Sequence, residues 1–126
     1  MAERGIVKSA IVVAEERRTH VIKIDAYSKE LLQTGEFATS IPFVVGDHVW
    51  VVKYYPNGNG VPGYISVYLV LESADGKDVK AKFTFSLLDD GGEPVPSYTK
   101  TLAQHIFPSK GSDWGLPRFI EHKDLE

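Results

Sequence analysis

Two segments in which apolar and polar side chains alternate constrain this chain more than any other feature. They span residues 63–71 and 79–87. One parity of each segment is apolar: Ile65, Val67, Leu69 and Leu71 in the first, and Val79, Ala81, Phe83, Phe85 and Leu87 in the second. Period-two alternation predicts β-strands with one buried face. Asp75-Gly76 lies between them and favours a tight turn, so the sequence predicts an antiparallel hairpin.

Further alternating segments, separated by turn-forming residues, extend this prediction along the chain. The additional strands are predicted at His20–Ala26, Ile41–Val45, His48–Tyr55 and about Tyr98–Phe107, with turns at Gly46-Asp47, Pro56–Gly60 and Asp89–Pro94. Six or seven short strands with this spacing favour an all-β, antiparallel β-sandwich. Tyr27–Gln33 has weak helical character and is predicted to form at most a single turn.

The length of the chain indicates a single domain. With 126 residues, 43% of them hydrophobic and 25% charged, the chain resembles an ordinary globular protein that can bury its own core. The predicted domain therefore spans residues 1–126. Residues 1 to about 15 are expected to lie partly outside the core, as an N-terminal arm.

Composition and motifs argue against several classes of function. A net charge of −3 gives no support for nucleic-acid binding, and no apolar run approaches the length of a membrane span. The absence of cysteine excludes disulfides and thiolate metal sites and fits a reducing compartment. We expect an intracellular location, in the cytoplasm or nucleus. The four histidines lack the spacing of metal ligands, and neither a nucleophile elbow nor a phosphate loop occurs. We therefore expect no metal, no cofactor and no catalysis.

The aromatic residues are the best candidates for recognition. Trp50 lies among valines in a predicted strand, which indicates core packing. Trp114 lies in a polar segment next to Gly115, where it either plugs the end of the sandwich or offers a recognition surface. Tyr68 lies on the face of its strand opposite the apolar stripe.

An ordered set of segments gives the chain a family resemblance. The segments are Tyr64–Leu71, Val79–Leu87, Asp113-Trp114-Gly115 and Arg118-Phe119-Ile120, and they resemble a MATH (meprin and TRAF homology) domain. Val21–Ser28 and Trp50–Gly58 resemble the plant MATH-BTB branch in particular. The resemblance covers roughly residues 6–126 and implies an antiparallel eight-stranded sandwich.

The resemblance also implies a function and a set of site residues. MATH domains bind short extended linear motifs in a shallow groove, and in the MATH-BTB branch these motifs mark substrates for a cullin-based ubiquitin ligase. The groove residues carried over to this chain are Tyr68, Phe83, Ser112, Asp113, Trp114, Gly115 and Leu116. Ser112 stands where animal adaptors carry a lysine, and Leu116 where they carry an aromatic residue. The spacing from His105–Phe107 to Trp114 departs from the family pattern, so that wall of the groove is not carried over.

The resemblance leaves two functions open. The chain is either the substrate-recognition module of a ligase adaptor, with ligase machinery as a partner only if a BTB region is present, or a stand-alone interaction module, a truncated paralogue or decoy. The family continues past the segment matching residues 122–126 into a final strand, which this chain is expected to lack. An open sheet edge would then permit self-association, unless another segment fills the space.

Overall fold

The computed structural model of the protein describes residues 4–13, 16–25, 35–73, 78–88 and 91–121, and these residues form strands, turns and loops without a helix. The strands are β1 (Arg4–Val13), β2 (Glu16–Asp25), β3 (Ala38–Thr39), β4 (Phe43–Val45), β5 (His48–Tyr55), β6 (Tyr64–Leu71), β7 (Val79–Leu88), β8 (Pro94–Phe107) and β9 (Asp113–Glu121). The predicted single turn at Tyr27–Gln33 lies outside the described residues.

Among the described residues, the strands form two antiparallel sheets. One sheet has the order β2-β1-β7-β8. The other has the order β3-β5-β6-β9, and β4 pairs with β5 as well. The predicted all-β antiparallel fold is therefore confirmed.

The side chains that fill the space between the sheets follow the predicted parity. The apolar residues of β6 and β7 are all buried: Ile65, Val67, Leu69, Leu71, Val79, Ala81, Phe83, Phe85 and Leu87. Trp50 joins them with no exposed surface, packs edge-on against Phe107 at 5.1 Å between ring centroids, and donates a hydrogen bond from Nε1 to the Val45 carbonyl. The indole N–H is thus satisfied inside the core, as burial of a polar group requires.

The predicted hairpin between the two alternating segments is wrong. β6 pairs with β5 and β9, whereas β7 pairs with β1 and β8, so the two strands lie in different sheets. Alternation shows that each strand buries one face, but it does not identify the neighbouring strand. The chain between Leu71 and Val79 is long enough to cross from one sheet to the other. Asp75 and Gly76 lie outside the described residues.

The Gly46-Asp47 turn joins β4 to β5 as a two-residue hairpin. Val45 and His48 form the closing pair, and the two central residues have φ angles of 61° and 63°. Two successive positive φ angles define a type I′ turn, whose twist matches that of antiparallel strands. The sequence predicted a break between two strands at this point.

Residues 4–13 form an inner strand, which differs from the expected arm. β1 lies between β2 and β7 and pairs with both, and Ile11 is fully buried. The sequence of β1 does not alternate cleanly, because Gly5 and Ser9 share the parity of Ile11. Its place in the sheet is set by pairing with residues 70 to 82 positions further along the chain, a signal that local patterning does not carry.

Candidate functional site

The end strand β9 exposes a row of backbone groups. Leu71 N–H donates to the Ser112 carbonyl at 3.0 Å, and two residues further Trp114 pairs with Leu69. Backbone groups in an antiparallel pair point alternately toward the partner and away from it. The N–H and C=O groups of Asp113 and Gly115 therefore point away from β6, toward an edge that no strand covers in the described part of the chain.

Trp114 lies on one side of this edge and stacks against the opposite sheet. Its indole ring lies parallel to the imidazole of His105 in β8, with 4.3 Å between centroids and 7° between planes. His105 also contacts the edge of the buried Phe107 ring at 5.1 Å. Trp114 nevertheless keeps 48% of its surface exposed. The stack bridges β8 and β9 and leaves much of the indole facing solvent.

Tyr68, in the neighbouring strand β6, lies on the face of the sheet opposite Trp114. It pairs in register with Gly115, and residues paired across a ladder share a face of the sheet. The half-buried Tyr68 ring packs edge-on against Tyr55 at 5.7 Å, and its hydroxyl accepts a hydrogen bond from Asn59 Nδ2 at 3.4 Å. Gly115, the register neighbour of Tyr68 in β9, has no side chain to cover the ring.

Glycine at position 115 is required by the close approach of β9 to β6. A Cβ atom there would collide with the Val67 carbonyl oxygen and lie 2.6 Å from Tyr68 Cα. Both contacts are with backbone atoms, which cannot rotate away. The local geometry of β9 thus depends on this glycine.

Phe83 does not reach the surface. It is 1% exposed and packs against Phe85 and Phe107 in the core. Since β7 belongs to the other sheet, Phe83 does not lie beside Tyr68 as the predicted hairpin implied. Phe83 shares the apolar parity of its strand, which predicted a core position, and the structure places it in the core.

The other candidate residues flank the exposed edge. Asp113 is exposed, whereas Leu116 is partly buried against the core. The Ser112 hydroxyl donates to the Ser109 carbonyl at 2.6 Å and closes the turn before β9. The structure therefore brings Asp113, Trp114 and Gly115 to one edge, with Tyr68 on one side, and places Ser112 and Leu116 at its two ends.

Residues outside the carried-over set also border this region. His105 stacks on Trp114, and the neighbouring Ile106 is 46% exposed. Beyond Tyr55, the Lys53 ammonium lies 4.2 Å from the centroid of the Phe37 ring. The altered spacing before Trp114 was the signal that this wall differs, but it did not identify His105 as the contact.

Among the described residues, no group of three or more histidine, aspartate or glutamate side chains is placed to hold a metal ion. No helix in that part of the chain has the length and apolarity to cross a membrane.

The fold and this edge define a class of protein: antiparallel β-sandwich domains in which an end strand, flanked by aromatic side chains, faces solvent. A family model described as the MATH domain matches residues 19–126. The chain therefore belongs to the MATH domain family, a family of protein-interaction domains, which confirms the resemblance seen in the sequence.

Curated relatives come from Arabidopsis thaliana. BTB/POZ and MATH domain-containing protein 4 is 33% identical over 118 residues, covering 86% of this chain and 25% of the relative. BTB/POZ and MATH domain-containing protein 3 is 31% identical over 118 residues, covering 86% and 29%. The chain thus spans between a quarter and three-tenths of the length of these relatives.

Proposed function

We propose that this domain is a non-catalytic, cofactor-independent recognition module that binds short extended peptides along the outer edge of β9. One observation carries the proposal: the outward-directed backbone groups of Asp113 and Gly115 lie between the exposed Trp114 ring and Tyr68. An exposed strand edge accepts an extended peptide as an additional strand, and flanking pockets supply specificity.

The geometry gives the bound peptide two distinct faces. Side chains of an added strand alternate between the two sides of the sheet. On one side they would meet the Trp114 indole, and on the other they would pass over Gly115 toward the Tyr68 hydroxyl. A contact of this size typically gives micromolar affinity, about −8 kcal/mol. The peptide would therefore present an apolar residue toward Trp114 and a polar residue toward Tyr68.

We further propose that the peptides are linear motifs of proteins selected for ubiquitination. The curated relatives combine BTB/POZ and MATH domains in one protein, and the resemblance to the MATH-BTB branch implies that a BTB region recruits a cullin-based ligase. Such an adaptor would act in the cytoplasm or nucleus. A stand-alone interaction module would use the same edge without recruiting a ligase. Co-precipitation of a cullin with the full gene product, but not with residues 1–126 alone, would support the adaptor.

The Trp114→Ala variant tests the peptide site. We expect a loss of about 2 kcal/mol, roughly thirtyfold in affinity, because Trp114 is an aromatic anchor at the centre of the proposed contact. The measurement is titration calorimetry with a peptide selected from a random display library on the wild-type domain.

Val44→Ala is the matched control. Val44 is also 48% exposed, but it lies in β4, which pairs with β5 toward the opposite edge of the same sheet from β9. Its replacement should leave affinity unchanged. If Trp114→Ala stays folded and binds the selected peptide as tightly as wild type, Trp114 does not belong to the site.

A further inference from the structure

The row of outward backbone groups along β9 ends at Pro117. Alternation places position 117 next in that row after Asp113 and Gly115. Proline has no N–H to donate, and the Pro117 carbonyl accepts a hydrogen bond from Ser66 Oγ of β6 at 2.6 Å. A peptide paired with β9 therefore finds outward N–H groups at Asp113 and Gly115 and none at position 117.

The ladder between β6 and β9 is irregular at this point. Past Val67 the register shifts, so that residues 117–119 lie opposite the single residue Ser66. A bulge of this kind bends its strand and redirects side chains. Phe119 is buried in the core, whereas Arg118 is exposed. The bulge thus brings a cation to the surface where the ladder for the peptide ends.

Arg118 lies on the same face of the sheet as Tyr68. Its guanidinium carbon Cζ is 5.9 Å from the centroid of the Tyr64 ring. Tyr64 and Tyr68 are four residues apart in β6, so their side chains leave the same face. A cation–π contact does not use the five N–H donors of the guanidinium. The Tyr64 ring thus holds a positively charged group beside the proposed peptide path.

Two carboxylates of β9 lie at different distances from Arg118 along the strand. Asp113 is five residues away, which is roughly 15 Å in an extended strand. That separation exceeds the screening length of about 8 Å at physiological salt, so the Asp113 carboxylate does not neutralise Arg118. Glu121, the register partner of Tyr64, is three residues away and weakens the local positive potential. An anionic ligand group would therefore gain a moderate attraction.

We propose that Arg118 selects peptides with an anionic side chain about two residues from the peptide residue that faces Gly115. The anion is the carboxylate of aspartate or glutamate, or a phosphorylated serine. This inference rests on the proposed peptide site and adds a charge requirement to it. Every second side chain of an added strand lies on one face, so the next side chain on the Gly115 face lies level with position 117, beside Arg118. Arginine binds carboxylate and phosphate oxygens through paired N–H groups, which suits it to this role.

The contribution of Arg118 should be modest in affinity. An exposed ion pair corresponds to about a twofold to fivefold change in affinity. Backbone pairing with β9 and the contact with Trp114 supply the remainder. Because salt screens exposed charges, the gain should shrink between about 50 mM and 500 mM sodium chloride.

A glutamate scan of the ligand tests the charge requirement. The probe is a peptide selected from a display library on the wild-type domain, and glutamate or glutamine is placed in turn at each of its positions. Titration calorimetry should show that glutamate binds about twofold to fivefold more tightly than glutamine at a position toward one end of the peptide. Arg118→Ala should remove that difference and leave the affinity of the glutamine peptide unchanged.

Matched variants separate the charge from the shape of the side chain. Arg118→Lys keeps the positive charge and should retain most of the preference for glutamate. Lys80→Ala removes one positive charge from an exposed position of β7 in the other sheet, and it should leave the preference unchanged. Phosphoserine and serine are compared at the same peptide position, and the pair that shows the preference identifies the anion that Arg118 binds.

The outcomes distinguish this inference from the proposed function. If selected peptides bind but neither glutamate nor phosphoserine improves binding at any position, the inference is overturned and the peptide site survives. If the preference persists in Arg118→Ala, another cation is responsible and the inference is overturned. If no peptide binds the folded wild-type domain, the peptide site fails and this inference fails with it. Because Arg118 is exposed, Arg118→Ala should unfold at the wild-type temperature, which excludes misfolding as the cause of a lost preference.

Discussion

Phe83 and Trp114 show how much a residue's role depends on burial. The resemblance placed both aromatic rings in one groove. In the structure Phe83 is 1% exposed and Trp114 is 48% exposed. A buried ring contributes to the free energy of folding, whereas an exposed ring can give up its surface to a ligand. The two residues should therefore respond to substitution in opposite ways.

Replacing Phe83 should affect stability rather than binding. Phe83→Ala leaves a cavity between Phe85 and Phe107 and should lower the free energy of unfolding by about 3–5 kcal/mol. Because that loss can unfold a domain of this size, Phe83→Leu provides the milder change. Urea unfolding measures the stability of both variants. Calorimetry on folded Phe83→Leu should show wild-type peptide affinity. A tenfold loss of affinity in this variant would show that Phe83 belongs to the site.

At the scale of elements, the sequence predicted those strands whose buried face can be read from parity. β5 (His48–Tyr55) was predicted with its observed bounds, and β6 and β7 differ from their predictions by a single residue each. β8 begins at Pro94, several residues earlier than predicted. The pairing of the strands was harder to predict from the sequence, because long-range packing and not local pattern determines which strands are neighbours in these sheets.

The candidate site was predictable to the same limited extent. Asp113-Trp114-Gly115 is a local motif, so its three residues could be identified from the sequence and do lie together on one edge. The stack between His105 and Trp114 joins two strands from different sheets. Nothing in the spacing of the two residues specifies how the edges of those sheets meet.

The outward backbone groups of β9 permit a direct test of strand addition. Asp113→Pro removes an N–H that points away from β6, so the β6–β9 ladder should remain intact while the peptide loses a hydrogen bond. We expect about a tenfold loss in affinity, in line with about 1–1.5 kcal/mol for one hydrogen bond. Calorimetry with the selected peptide measures this loss, and thermal unfolding should show little change.

Asp113→Ala separates the backbone from the side chain. This variant keeps the N–H and removes the carboxylate, so affinity close to wild type is expected. Equal losses in Asp113→Ala and Asp113→Pro would assign the effect to the carboxylate and contradict strand addition at this position.

At the scale of the whole molecule, β1 joins β2 to the rest of the first sheet. In the described residues β2 pairs with β1 alone, and β7 has β1 and β8 as its neighbours. The family match begins at residue 19, so this inner strand lies ahead of the matched region. Without β1, the backbone groups of β2 and of one edge of β7 would lose their partners.

Deletion of residues 1–13 should therefore abolish cooperative folding. Circular dichroism and amide dispersion in NMR spectra would report the loss, and deletion of residues 1–3 alone is the control. A synthetic peptide of residues 4–13, added in excess, should restore native-like spectra to the shortened chain. An unchanged melting temperature after the longer deletion would show that β1 is dispensable.

Self-association through an open sheet edge stays a prediction, which sedimentation at increasing protein concentration tests.

Because β1 is an inner strand, its pairing at both edges during biosynthesis must wait until β7 has been synthesised. About 75 residues separate the end of β1 from the end of β7, the strand that pairs with the second edge of β1. At about 5–20 residues per second, the ribosome needs roughly 4–15 s to supply that partner. A hairpin of β1 and β2 can form within microseconds, yet Ile11 would remain in contact with water throughout the delay. The nascent chain is thus most open to chaperone capture, and to aggregation, in the seconds before β7 leaves the exit tunnel.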